Sequence, residues 1–346
     1  MKRHLAAIAL AASSIMPAQA GDFSQYEELA AMIAQLEAEN VYAPGELAGL
    51  FEFVNRNDNT LERIAKPAEG KEWKDYRPLF MTDSRIRDGL AFWDRYSDAF
   101  ARAEAQTGVP QKMILAILGV ETKYGFNKGG TRVIEALATL GFDYPPRAPF
   151  FRSELREFLV LTKQNGMDPL AVKGSYAGAM GFPQFMPSSW RKLAVDFDGD
   201  GRIDLIENPV DAIGSIANYF KANGWQPGGP VAVRARISGN SYDGATSKEL
   251  KTVSTLADME RQGLSPRTAL SLAPVTPASG IRLQGTNGGE FWIGFNNFYV
   301  ITKYNRSILY AMAAHQLADA LEAARTERDQ AAAAAASVGG TPPAPL

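Results

Sequence analysis

The chain has 346 residues, 46% of them hydrophobic, and a formal net charge of −2. That is enough to bury a sizeable core in one large domain or two to three packed lobes, and it forces no basic face of the kind nucleic acid requires. There is no cysteine and there are only two histidines, His4 and His315. Disulfides, thiol nucleophiles and multi-histidine metal sites are therefore excluded, and a serine triad would have to use His315. Carboxylates remain as the main candidates for acid-base chemistry.

Residues 1–20, MKRHLAAIALAASSIMPAQA, read as a secretory signal. Lys2, Arg3 and His4 precede a short apolar stretch, and Ala18 and Ala20 are the small residues of a cleavage site after Ala20. The apolar part is too short to span a bilayer, and no cysteine follows it to carry a lipid. The expected location is the periplasm, without a membrane anchor.

Residues 21–108 read as an N-terminal helical lobe. Within it, 22–55 carries one apolar face (Leu29, Met32, Ile33, Leu36), 57–82 is charged and broken by Pro67, Gly70 and Pro78, and 83–107 is helical. A core follows over 109–229, with helices at 110–122, 130–141, 149–165 and 208–223 and a Gly-rich loop at 174–187. Residues 230–290 read as a small β-rich insert. VAVRARI at 231–237 alternates, and strand-like text continues over 280–301, GIRLQG and then EFWIGFNNFYVIT. The chain returns to the core over 291–325, with a helix at 305–325, and ends in a low-complexity tail, 326–346. The fold class expected is mainly α with a small β piece (α+β).

The stretch ILAILGVETKYG, 114–125, sets Glu121 on the helical stripe of Ile114, Ile117 and Leu118. Desolvation raises the pKa of a carboxyl, which suits it to donate a proton. The plainer alternative is a helix-end Glu that reaches water beside Lys123. Tyr124-Gly125-Phe126 follows, with Gly125 placed to end the helix. An acid beside aromatics and a Gly turn suits a sugar cleft, where cleavage requires protonation of a poor leaving oxygen.

Residues 196–207, DFDGDGRIDLIE, match a twelve-residue calcium loop. Asp196, Asp198 and Asp200 occupy positions 1, 3 and 5, and Gly201 the sharp turn. Arg202 offers a backbone carbonyl at position 7, and Glu207 closes the loop at position 12. Carboxylates this dense repel one another without a cation. A bracing calcium site, with no sensing role, is expected. No organic cofactor is implied.

Several stretches together resemble the lytic murein transglycosylase B family. They are GVETKYG (119–125), ALATLGFDYPPRAPFF (136–151), GSYAGAMGFPQFMPSSW (174–190), the acidic loop, NPVDAIGSIANYF (208–220) and KYNRSILYAMA (303–313). The resemblance covers residues 22–323. It implies a lysozyme-like, mostly helical core and cleavage of the β-1,4 bond between N-acetylmuramic acid and N-acetylglucosamine in peptidoglycan glycan strands, leaving 1,6-anhydro ends. Glu121 matches the single catalytic acid, which then serves as base. By the same resemblance Ser175, Gln184 and Phe185 line the cleft, Tyr304 and Asn305 position the sugar, and Tyr219, Tyr310 and Tyr76 are aromatic contacts. Phe150 stands where close relatives can have Tyr, and Pro183 where Gly is often found. Relatives place the closing carboxylate of the calcium loop at the position of Asp211, so both Glu207 and Asp211 stand open as candidates. Two other readings are a hydrolytic muramidase, which needs a second carboxylate such as Asp143 or a held water, and a non-catalytic peptidoglycan-binding scaffold.

Overall fold

The computed structural model describes residues 22–66 and 70–338. The expected signal, residues 1–20, the break at Pro67 and residues 339–346 of the tail lie outside the described residues. The chain divides into two compact units, the first ending at Arg56 and the second beginning at Asn57. The helices between 58 and 107 thus belong with the second unit.

In the first unit, α1 (Glu27–Ala38) and α2 (Glu46–Phe51) replace the single helix expected over 22–55. Pro44-Gly45 separates them, and Gly45 takes φ 80°, a left-handed turn that ends continuity of the helix. Leu29, Met32 and Leu36 are buried on α1 as the spacing predicts. The Arg56 N–H donates to Asp22 Oδ2 at 2.8 Å and ties the two ends of the unit together.

The second unit carries the helical core. Its first half runs α3 (Asp58–Ile64), α4 (Trp73–Tyr76), α5 (Asp83–Arg95), α6 (Ser97–Thr107), α7 (Gln111–Thr122), α8 (Val133–Asp143) and α9 (Ala148–Gln164). Caps visible in the sequence set several boundaries. Asn57 and Thr82 accept from backbone N–H groups three residues on, and Gly108 closes α6 at φ 71°. The helix expected over 83–107 breaks at Tyr96, whose backbone leaves helical values. The break brings Phe92 and Phe100 together edge-on at 6.2 Å, so both rings enter one core.

The second half runs α10 (Pro187–Leu193), α11 (Pro209–Ala222), α12 (Leu256–Arg261), α13 (Asn296–Tyr304) and α14 (Ile308–Val338). The strands are β1 (Thr131–Arg132) and β2 (Lys173–Gly174), which pair with each other, and β3 (Ala232–Ile237), β4 (Ser254–Thr255), β5 (Leu264–Pro266), β6 (Pro277–Gly285) and β7 (Gly288–Gly294). The last five form an antiparallel sheet in the order β4-β6-β7-β3-β5. The β-rich piece is where the sequence placed it, but it ends at Gly294. FNNFYVIT is not strand: residues 296–304 are helix, buried over Asn297–Thr302. A segment buried all round carries no period, so its β-branched and aromatic content misleads. Asn297 is the anchor. Its Oδ1 accepts from Gln226 N at 2.8 Å and its Nδ2 donates to Gln226 and Gly229 carbonyls at 2.8 and 2.9 Å.

The low-complexity tail also departs from expectation, since α14 continues to Val338. Alanine and the charged residues before it are strong helix formers, and Arg328 fixes the extension by pairing with Asp94. The buried half of α14 lies on α7, where Lys112 Nζ reaches Asp319 at 3.1 Å and Glu322 at 2.6 Å.

His315 sits in this layer, 8% exposed, edge-on to Trp292. Burial pushes its imidazole below the usual value; Asp319 and a hydrogen bond with the Ala232 backbone oppose the shift, and Lys112 adds to it. The unfolded chain therefore binds this proton more readily. The stability it contributes is full above about pH 6.5 and is lost as pH falls below that. The melting temperature should fall as the pH drops below about 6.5, and His315→Gln should flatten that fall. An undiminished slope in the variant, measured by calorimetry, would show that other groups set it.

Candidate active site

Residues 113–119 of α7 are all buried, so the helix is apolar all round and the stripe in its sequence does not by itself single out one face. Glu121, in the last turn, is half-buried. Helix α7 ends before Gly125, the expected stop. Lys123 and Tyr124 already take left-handed φ values of 52° and 60°, and Gly125 follows at 90°. The two non-glycine residues cost roughly 1–2 kcal/mol each. Packing offsets this: the Tyr124 ring stacks on Phe92 at 5.7 Å. A Cβ on Gly125 would fall 2.0 Å from the Phe182 ring, so glycine is required there by space as well as by φ. Thr122 fastens the turn. Its hydroxyl faces the Phe182 carbonyl at 3.1 Å and accepts from Gly125 N at 2.9 Å. Lys123 lies 3.9 Å from Asp88 and 5.6 Å from the centre of the Phe126 ring.

A chain of packed tyrosines leads to the acid. The Tyr310 hydroxyl donates to Glu121 Oε1 at 2.5 Å. Tyr310 is 2% exposed, and burial first, then the Glu121 charge, pushes its pKa well above the ordinary phenol range. It therefore stays a donor at any pH the fold meets. Tyr304 stacks on it, ring centres 6.4 Å apart and 10° from parallel, and donates to the Pro183 carbonyl at 2.5 Å. Tyr219 packs on Tyr304 at 4.8 Å and donates to Lys303 O at 2.7 Å. Phe185 is 2% exposed beneath both, 5.5 Å from Tyr219 and 5.8 Å from Tyr304, where it serves as packing. Tyr76 is also buried, against Phe80 at 5.1 Å, and bears electrostatically on Tyr310.

The Gly-rich stretch 174–187 is a narrow loop held by bridges from Met180 to Gly174 and Phe185. Ser175 organises it by accepting from Ala177 N at 3.2 Å and Ala179 N at 3.0 Å. Gln184 takes φ 50°, and its amide donates to Lys128 O at 3.1 Å and Gly181 O at 2.9 Å. Asn305, half-buried, ends α13 beside Tyr304. Phe150 is 39% exposed on α9, under Arg147 at 4.4 Å and against Phe151 at 5.1 Å.

The acidic loop joins α10 to α11. Asp196, Asp198 and Asp211 each offer a carboxylate oxygen within 4.8 Å of the others. Asp211 is 0% exposed, and its two oxygens accept from Phe197 N and Asp204 N, both at 2.8 Å. Burial pushes its carboxyl above the ordinary value; these two hydrogen bonds oppose the shift, and the charges of Asp198 and Asp196 add to it. The Asn208 amide holds Asp198 below its ordinary value. Asp200 turns to Arg202 N at 2.8 Å, and Arg202 is exposed. Glu207 leaves the cluster for Lys128 Nζ at 3.0 Å. An all-oxygen donor set around a buried carboxylate suits a hard divalent cation.

Residues 24–319 match the transglycosylase SLT domain. The chain belongs to the transglycosylase SLT family. It is 41% identical to the membrane-bound lytic murein transglycosylase B of Escherichia coli over 317 residues, 89% of this chain and 86% of the relative. The fold is similar to that of the soluble lytic transglycosylase SltB1 of Pseudomonas aeruginosa, with a TM-score of 0.81, 47% identity, and coverage of 86% of this chain and 99% of that one. It is likewise similar to E. coli Slt35 in complex with calcium, with a TM-score of 0.82, 41% identity, and coverage of 89% and 96%. Among the described residues no helix is long and apolar enough to cross a membrane.

In this transglycosylase SLT chain Glu121, Tyr304 and Tyr310, all named from the sequence, lie together. Thr122 and Lys128 were not named, because their contacts are with backbone carbonyls that no spacing announces.

Proposed function

We propose that the chain is a lytic transglycosylase acting on peptidoglycan at the bond between N-acetylmuramic acid and N-acetylglucosamine. The observation that carries the reading is the Tyr310 hydroxyl on Glu121 Oε1. It fixes one carboxyl in the last turn of α7, with Tyr304 stacked on Tyr310. Glu121 donates its proton to the glycosidic oxygen as that bond breaks. The resulting carboxylate then takes the proton of the muramoyl C6 hydroxyl as that oxygen bonds to C1, which yields the 1,6-anhydro ring. One residue performs both transfers by microscopic reversibility, and water enters neither. The Tyr310 phenol holds Oε1 and so orients the carboxyl for both transfers. The relatives are lytic transglycosylases by name, which supports this reaction over simple binding. Mass spectrometry of muropeptides released from purified sacculi tests it. Products lighter by one water than hydrolytic ones are expected, and reducing ends would overturn the reading in favour of a muramidase.

The acidic loop is proposed to hold calcium, with Asp196, Asp198 and Asp211 as carboxylate ligands. The ion would neutralise the cluster and brace α10 against α11, with no part in the proton transfers. The grouping of these three oxygens and the calcium complex of E. coli Slt35 support this. The leader-like text of residues 1–20 and the substrate together support a periplasmic site of action.

A further inference from the structure

We infer that Lys128 is a positioning residue that sets Gln184, and with it the loop wall of the cleft, by tying the end of the acidic loop to the turn that follows Glu121. The inference rests on the reading of Gln184 as a cleft residue. Lys128 Nζ donates to the Ile206 carbonyl at 2.6 Å and to Glu207 Oε1 at 3.0 Å, and stands 5.0 Å from the centre of the Phe182 ring. Its own carbonyl accepts from the Gln184 amide at 3.1 Å. One residue thus grips residues 206–207 with its side chain and Gln184 with its backbone.

The need for such a tie follows from the local chain. Gly129 and Gly130 follow at once, and Gly129 has φ 89°, so the backbone here has little stiffness of its own. Gln184 is itself left-handed at φ 50° and is held there partly by the Lys128 carbonyl. A second link runs parallel to the first. Phe182 N donates to Leu205 O at 2.9 Å, and the Phe182 carbonyl faces the Thr122 hydroxyl, next to Glu121. With both links in place, the segment 205–207, the turn at 122–125 and Gln184 form one hydrogen-bonded unit. The ion pair with Glu207 is exposed and contributes little. The bond to the Ile206 carbonyl is charge-assisted and shorter, and it dominates.

Lys128→Met removes the tie while keeping the stem of the side chain. Lys128→Arg restores a donor. In a Glu121→Gln background, the affinity for an intact N-acetylglucosamine-N-acetylmuramic acid glycan fragment, read by calorimetry, should fall ~10-fold in Lys128→Met and recover to within about threefold in Lys128→Arg. In the wild-type background kcat/KM should fall by a similar factor. Added to Gln184→Ala, Lys128→Met should cost almost nothing further, because both act through one contact. Unchanged glycan affinity and kcat/KM in Lys128→Met, or full additivity with Gln184→Ala, would overturn the inference. Neither result would touch the assignment of Glu121, which the loss of turnover in Glu121→Gln alone decides.

Discussion

Glu121→Gln lowers turnover on peptidoglycan by ~10³–10⁴-fold while the fold and glycan binding persist. The magnitude follows from the double use of one group. A general acid or base commonly contributes between about 10² and 10⁴, and in the proposed mechanism the same carboxyl performs both transfers, so its loss takes the upper end. The amide matches the carboxyl in shape and can still accept from the Tyr310 hydroxyl, so the tyrosine cluster stays in place. The melting temperature should shift by no more than a few degrees. A variant that keeps a tenth or more of wild-type turnover would show that another group carries the proton.

Asp211→Ala destabilises the protein by about 5 kcal/mol in the presence of calcium. Asp211 is wholly buried and takes two backbone N–H groups, Phe197 and Asp204. Leaving each unpaired costs about 1–3 kcal/mol. A cation present at a thousandfold excess over its Kd contributes about 4 kcal/mol more, partly overlapping the first loss. Against a total stability of about 5–15 kcal/mol the variant is marginal. Asp211→Asn keeps one acceptor oxygen and loses the charge, and because its Nδ2 leaves one of the two N–H groups unpaired, the ion is read from the response to chelation and not from total stability. In urea unfolding, chelation should weaken the wild type and leave Asp211→Asn unmoved. Glu207→Gln should cost under about 0.5 kcal/mol and keep the full calcium response. A calcium response lost in Glu207→Gln and kept in Asp211→Asn would give the closing position to Glu207 instead.

The sequence disclosed most where local chemistry dictates structure. The helices expected at 110–122 and 208–223 are α7 and α11, the alternation of 231–237 marked β3, and the low-complexity text hid only a helix that alanine favours in any case. It misled where burial is complete. Residues 296–304 looked like strand because a helix enclosed on all sides shows no period. Glu121 shows the same limit from the other side. Its apolar stripe was only part of a helix buried all round, and what singles out the carboxyl is the Tyr310 hydroxyl, 189 residues away in the chain. The left-handed backbone at Lys123, Tyr124 and Gln184 was invisible for a related reason. Non-glycine residues take that conformation only where tertiary packing over-determines them, as Phe92 and Phe182 do around the turn at 122–125.

The central claim is that the muramoyl C6 hydroxyl, and not water, takes the place of the leaving sugar. Digestion of purified sacculi in water enriched in heavy oxygen tests it most directly. Anhydro ends that carry no label are expected, formed by the wild type and not by Glu121→Gln. Label at the reducing end of the muramoyl products would contradict it.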